Sequence, residues 1–161
     1  MSFDTTLIAA DWDMDKLREP LLRDLHAYWN GRRGDRSMPA RADIDVVEIP
    51  TLLPYVFLID VLEQPRDFRF RLAGTHFRET TEQEVTGKRI AEVFPAQFGE
   101  EVRRIWSKAV EERRPVVGHG NLWISGREYV KWESVALPLA CDDHAINMLL
   151  GGVVFHPGGH A

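Results

Sequence analysis

The first periodic segment carries apolar residues at Met14, Leu17, Leu21, Leu22, Leu25, Tyr28 and Trp29. Steps of three and four place them on one stripe of a helix. Asp15, Lys16, Arg18, Glu19, Arg23 and Asp24 fall on the opposite face. Asp13 can cap this helix, Pro20 kinks it or marks its true first turn, and Gly31 and Gly34 end it. The chain from Arg36 to Asp45 is polar and turn-rich, with Asp43 and Asp45 as caps. A helical turn over Val46 to Ile49 is stopped by Pro50, and a tighter one follows over Thr51 to Pro54.

The period then changes to two. Tyr55 to Val61 reads as a buried strand, Glu63 to Asp67 as a turn, and Phe68 to Leu72 as a strand facing Phe68, Phe70 and Leu72 inward and Arg69 and Arg71 outward. The short connection makes the two a hairpin. Thr75 can cap a helix to about Glu82, Thr86-Gly87 is a turn, and Arg89 to Phe94 is a short helix broken by Pro95. Gln97 to Arg113 is a long helix with Phe98, Val102, Ile105, Trp106, Ala109 and Val110 on one stripe. Three strands follow: Val116 to Ile124, Glu128 to Leu139 across a Ser125-Gly126 turn, and Ile146 to Phe155 after an Asp142-Asp143 turn. The last strand does not alternate, so it is central. Strands in two runs split by helices predict an α+β fold: a five-stranded antiparallel sheet with helices on one face and an N-terminal amphipathic helix.

The 161 residues suit one domain, and 44% apolar with 28% charged residues is average for a globular protein. A net charge of -5 argues against nucleic acid or an anionic membrane as partner. No signal peptide is visible from Met1 to Trp12. The longest apolar run, Ile146 to Phe155, is about half of the roughly 20 residues of a membrane span. The lone cysteine, Cys141, allows neither an internal disulfide nor a cysteine-based zinc site. These features suit a cytoplasmic protein.

Several motifs accompany this element order: Tyr28-Trp29, Gly34-Asp35-Arg36, Met38-Pro39-Ala40-Arg41, Asp43-Ile44-Asp45, Leu53-Pro54, and Arg69-Phe70-Arg71-Leu72-Ala73-Gly74-Thr75. On them the chain resembles the PAS domains, in particular a group of small stand-alone bacterial PAS-like proteins, over roughly Leu21 to Val154. Val46 departs from the pattern, where a proline is expected after Asp-Ile-Asp. The resemblance implies an N-terminal helix and connecting segment over 1–54, a PAS-like core over 55–155 and a flexible tail over 156–161. It implies a sensory or regulatory role in signal transduction and no catalytic residues.

PAS domains hold ligands between the sheet and the helices. Candidate lining residues are Phe57, Phe70, Leu72, Phe77, Phe94, Trp106 and Trp132. Gly118 and Gly120 leave room on a strand, and His76, His119, Asn121 and Ser134 are candidate polar contacts. The same aromatics equally well fill a core. Arg32, Arg36 and Arg41, with Arg33, form the densest basic cluster and a candidate anion site. Arg32 and Arg36 have the spacing of an arginine pair in some cyclic-dinucleotide receptors, but the downstream Asp/Asn-x-Ser-x-x-Gly is missing. The alternative is that these arginines pair with Asp35, Asp43 and Asp45.

No cofactor is identified. A covalent flavin adduct needs a cysteine on the helix after the first hairpin, and Cys141 lies elsewhere. Haem needs a histidine on the long helix, which has none; His76 is the nearest substitute. His156 and His160 sit in a tail without further ligands, and His144 is a turn residue, so no metal site is expected. No nucleophile with a base and no phosphate loop appears. Asp60 is better placed to pair with Arg69 or Arg71 than to act as an acid. The expected function is a sensory module that binds a small, mostly apolar ligand and signals through a partner protein in trans, with a homodimer formed by the Met14–Trp29 helix. A ligand-free interaction or dimerisation module is the alternative.

Overall fold

The structure is a computed structural model and describes residues 8–123, 129–141 and 145–156. Six strands form one antiparallel sheet: β1 (Ile8–Asp11), β2 (Val56–Leu62), β3 (Asp67–Ala73), β4 (Val116–Trp123), β5 (Tyr129–Ala140) and β6 (Ile146–His156), in the order β1-β4-β5-β6-β2-β3. Five strands are expected from the pattern. The sixth is β1, whose Ile-Ala-Ala-Asp does not alternate. Backbone pairing to β4, from Ile8 opposite Gly120 to Asp11 opposite Val117, defines it. The Ser125-Gly126 and Asp142-Asp143 turns, His144, and the tail with His160 lie outside the described residues.

The leading helix starts later than its stripe suggests. Met14–Lys16 is a 3-10 turn capped by Asp13, whose carboxylate accepts the Asp15 N–H. The helix α1 is Pro20–Arg33. Proline is suited to the first helical position because its missing N–H has no helical partner there. It also holds the preceding Glu19 extended. Gly31 lies inside the helix, and Gly34, at φ +59, is its C-cap.

Helix α1 lies on the outer face of the sheet. Leu22, Leu25 and Trp29 are buried. A β-carbon at Gly152 of β6 would come within 2.8 Å of the terminal methyls of Leu22 and Leu25. The buried Glu133 of β5 accepts the N–H groups of Arg18 at 3.0 Å and Glu19 at 2.8 Å, and so fixes the start of the helix. Glu19 also pairs with His156, and the Trp29 indole donates to the Pro138 carbonyl at 2.9 Å. Of the apolar stripe, Leu17, Leu22, Leu25 and Trp29 are thus buried within the chain, while Met14, Leu21 and Tyr28 stay partly exposed.

The inner face carries α2 (Thr75–Thr81), α3 (Ile90–Val93) and α4 (Ala96–Glu112). Gly74, not Thr75, is the N-cap of α2, and it makes no side-chain cap bond. Every residue of the expected α4 stripe is buried. β6 is central, with β5 on one side and β2 on the other.

Two motifs of the sequence meet at Gly74. A β-carbon there would lie 2.3 Å from the Pro54 carbonyl oxygen, so Leu53-Pro54 requires the glycine. The Gly74 N–H donates to the Val56 carbonyl at 2.8 Å. The Met-Pro-x-Arg stretch is structural too: Met38 is buried, and the Pro39 carbonyl accepts the Ala140 N–H.

The hairpin of β2 and β3 holds a bulge. Leu58 pairs with Leu72 and Ile59 with Phe70, which leaves Arg71 unpaired. One extra residue reverses the alternation. Leu72 therefore joins Leu58 on the outer face and does not point inward with Phe68 and Phe70. Asp60, also outward, is buried and pairs with Arg71 at 3.1 Å and Arg69 at 3.3 Å across the hairpin.

Candidate functional site

A cavity of about 60 Å³ lies between the inner face and the helices. The sheet supplies Phe57, Phe70, Gly118, Trp132 and Ser134; the helices supply Phe77 and Trp106, and Phe94 follows α3. Eight of the thirteen lining and polar-contact candidates are thus brought together. The same rings also pack on one another. Phe57 stacks on Trp106 with centroids 5.9 Å apart, and Phe77 lies 5.5 Å from Phe70. Offset and edge-on pairs of this kind add to the burial of the rings themselves.

Five candidates fall elsewhere. Leu72 is turned to the outer face by the bulge. Gly120 shares the face of Gly118 but sits beyond the cavity lining. His76 does not line the cavity; its Nε2 accepts the Phe155 N–H at 3.0 Å, and its ring packs between Tyr55 and Phe155. That acceptor role fixes a neutral ring protonated at Nδ1, and burial lowers its pKa. His119 and Asn121 are exposed, because they alternate with Gly118 and Gly120 and take the other face.

Sequence reasoning missed part of the wall. Ile8 of β1 lines the cavity, as do Phe98 and Val102 of α4 and Val153 and Phe155 of β6. Phe98 and Val102 were readable as core positions, and the two-residue period of a strand puts Val153 and Phe155 of β6 on one face. Ile8 had no signal, since its strand had none.

The polarity of the lining is decisive. Ser134 is the one hydroxyl, and no charged side chain lines the cavity among the described residues. Trp132 is 8% exposed, and its indole N–H is buried without a hydrogen-bond partner. An unmet buried donor costs about 1–3 kcal/mol. Trp132 is held in place by Phe98, edge-on at 5.9 Å, and by Gly118, where a β-carbon would sit 3.4 Å from the ring.

The arginine cluster is at the far end of α1 and serves mainly as a backbone clamp. Arg36 donates to the Arg32 and Arg33 carbonyls, Arg33 to the Arg36 carbonyl, Arg32 to the Asp43 carbonyl, and Arg41 to the Ile44 carbonyl. Arg36 also pairs with Asp43 at 2.9 Å. The Ala40 N–H and Arg36 together hold the Asp43 carboxyl below its usual range. Such donors neutralise the exposed carbonyls of a helix end.

The antiparallel sheet, with α2 to α4 on its inner face and an apolar cavity between them, agrees with the family comparison, in which a model described as a PAS domain matches residues 17–154. The chain belongs to the PAS family. No curated protein matches its sequence. Among solved structures, an RNA-binding light-oxygen-voltage receptor is similar at 15% identity with a TM-score of 0.50, over 72% of this chain and 35% of the other. The PAS chain described here therefore spans about a third of that protein, and the likeness is one of fold. A fungal LOV domain photoreceptor aligns at 15% identity over 88% of this chain and 97% of the other, with a TM-score of 0.48.

The PAS cofactors weighed from the sequence do not fit this cavity. Pockets for drug- or cofactor-sized molecules run to roughly 300–1,000 Å³, several times this volume. A flavin's polar ring edge would face phenylalanine and tryptophan, and Cys141, exposed at the end of β5, is not in the lining. Haem would need an axial ligand, and the Nε2 of His76 is already bonded to Phe155. Among the described residues no cluster of His, Cys, Asp and Glu is arranged for a metal ion. No helix among them is long and apolar enough to cross a membrane.

Proposed function

We propose that this PAS domain is a sensory module that takes a small, mostly apolar molecule into the cavity between its sheet and helices. One observation carries the reading: a cavity of about 60 Å³ between sheet and helices is lined by apolar side chains with Ser134 as its one hydroxyl and no charged side chain among the described residues. A core that serves packing alone leaves few voids larger than a water molecule. The reading involves no catalytic step, and the signal passes through contacts with a partner protein. Native mass spectrometry and solvent extraction of the purified protein, with thermal-shift screening of small apolar compounds, test it. A bound molecule or a concentration-dependent rise in Tm is expected. An empty protein whose Tm no compound moves overturns it.

The close aromatic packing favours a second reading, a ligand-free interaction module. In that case the cavity is a packing defect, and filling it with a larger side chain at Ala136 or Val153 stabilises the protein without altering partner binding.

A further inference from the structure

Pairing between β2 and β6 stops at Val56 and Gly152, and β6 runs on to His156. His76 of α2 takes over from the strand there: its Nε2 accepts the Phe155 N–H at 3.0 Å. Resting on the ligand-binding reading, we propose that this bond is a proton-operated latch on the cavity. It is closed while His76 is neutral and released, with loss of the apolar ligand, when His76 takes a proton from solvent. The bond joins two walls of the site. The Phe155 ring lines the cavity from β6, and Phe77, next to His76 in sequence, lines it from α2. The two rings meet edge-on with centroids 5.8 Å apart.

Neutral His76, with its proton on Nδ1, offers the Nε2 lone pair; the imidazolium carries an N–H at both positions and accepts nothing. Protonation sets two N–H groups facing each other and leaves the Phe155 N–H without its acceptor. The ring lies between Tyr55, 4.6 Å away, and Phe155, 5.6 Å away. Attraction of a cation to such rings acts on the imidazolium and does nothing for the stranded N–H. Glu79 of α2 favours the cation, and His156 of β6, which pairs with Glu19 ahead of α1, opposes it. Burial is the largest influence and lowers the pKa, so the latch is closed at neutral pH. His76 is also partly exposed, so protons from solvent reach it. A ligand that needs the wall intact favours the neutral ring, and by reciprocity proton and ligand oppose each other.

The test uses the full chain and cyclopentane, an apolar probe with no ionisable group. NMR of 15N-labelled protein follows the His76 ring nitrogens and the Phe155 amide from about pH 8 to pH 5. The Phe155 amide signal is expected to move with the same midpoint as the His76 ring, and saturating cyclopentane is expected to lower that midpoint. One pH unit below the midpoint, cyclopentane is expected to bind about fourfold or more weakly than at neutral pH, as a coupling at the fivefold lower end of the usual range requires. In His76→Gln, whose side-chain oxygen accepts throughout this range, both dependences are expected to shrink to what His26 and His156 contribute. A Phe155 signal that ignores the His76 midpoint, a midpoint that cyclopentane leaves unmoved, or an equal pH dependence in His76→Gln overturns the latch and leaves the ligand-binding reading standing. If that variant does not fold, the native titration with and without cyclopentane decides alone. No binding of cyclopentane at any pH, together with an empty protein on extraction, overturns the ligand-binding reading and the latch with it.

Discussion

The ring of Phe57 lies directly over Gly151: a β-carbon at that glycine would come within 2.1 Å of the ring. The two residues are register partners on β2 and β6, and the missing side chain of one makes the space that the other fills beside the cavity. Phe70, Phe77 and Trp106 surround the ring on its other sides.

Gly151→Ala therefore has one place to send Phe57, which is into the cavity. Overpacking of this kind costs about 1–3 kcal/mol. Urea unfolding should show that loss, and binding of small apolar probes should fall with it. Gly152→Ala, on the other face, meets the free ends of Leu22 and Leu25 and should cost less while leaving probe binding intact.

Removing the Glu133 carboxylate unpins α1. It accepts two backbone N–H groups from a buried position, and hydrogen bonds to a charged acceptor contribute about 1.5–3 kcal/mol. Glu133→Ala should lose an amount in that range by chemical denaturation. Amide exchange should rise first in residues 18–25. Glu133→Gln, which keeps one acceptor oxygen, should lose less.

Acid should destabilise the fold through His76. Its folded pKa is lowered below the ordinary 6.5, mainly by burial. The unfolded chain then binds more protons between the two values, so stability rises with pH there. The contribution is fully present above pH 6.5 and is lost as pH falls through the folded value. His26, lowered by burial and by Arg33, acts in the same direction. Tm measured from pH 8 to pH 5 should fall, and His76→Gln, whose side-chain oxygen still accepts from Phe155, should flatten part of that slope and leave the His26 part.

Ile8→Ala should enlarge the cavity. Ile8 is buried at its wall, and such a truncation costs about 2 kcal/mol at an edge strand, the low end of the range for buried isoleucine. Larger ring compounds should gain affinity relative to smaller ones in calorimetric titrations. An unchanged size preference would mean that β1 does not bound the site.

Much of this was legible along the chain. The α4 stripe from Phe98 to Val110 needed only helical spacing, and the pairing of Asp60 with Arg69 and Arg71 needed only the hairpin. Leu72 was misplaced because alternation assumes a regular ladder, and the bulge at Arg71 is a property of pairing rather than of either strand. Strand β1 was missed because Ile-Ala-Ala-Asp is defined by what β4 offers it. The unmet N–H of Trp132 is invisible in any sequence pattern, since a donor's partner comes from elsewhere in three dimensions. His76 was a candidate polar contact of the pocket next to the lining residue Phe77. On a helix, adjacent residues point about 100° apart, and His76 was turned toward the β6 backbone.

Strand β1 also occupies the edge of β4. Without it, β4 would present a row of unpaired backbone groups to any passing strand. A strand from a second molecule has to compete with one whose chain is anchored a few residues on, where Glu133 of the neighbouring β5 holds the Arg18 and Glu19 N–H groups. Short tethers give such a segment an effective concentration on the order of millimolar. The N-terminal strand thus acts as a built-in competitor for its own sheet, and the short run that escaped the periodicity keeps that edge occupied.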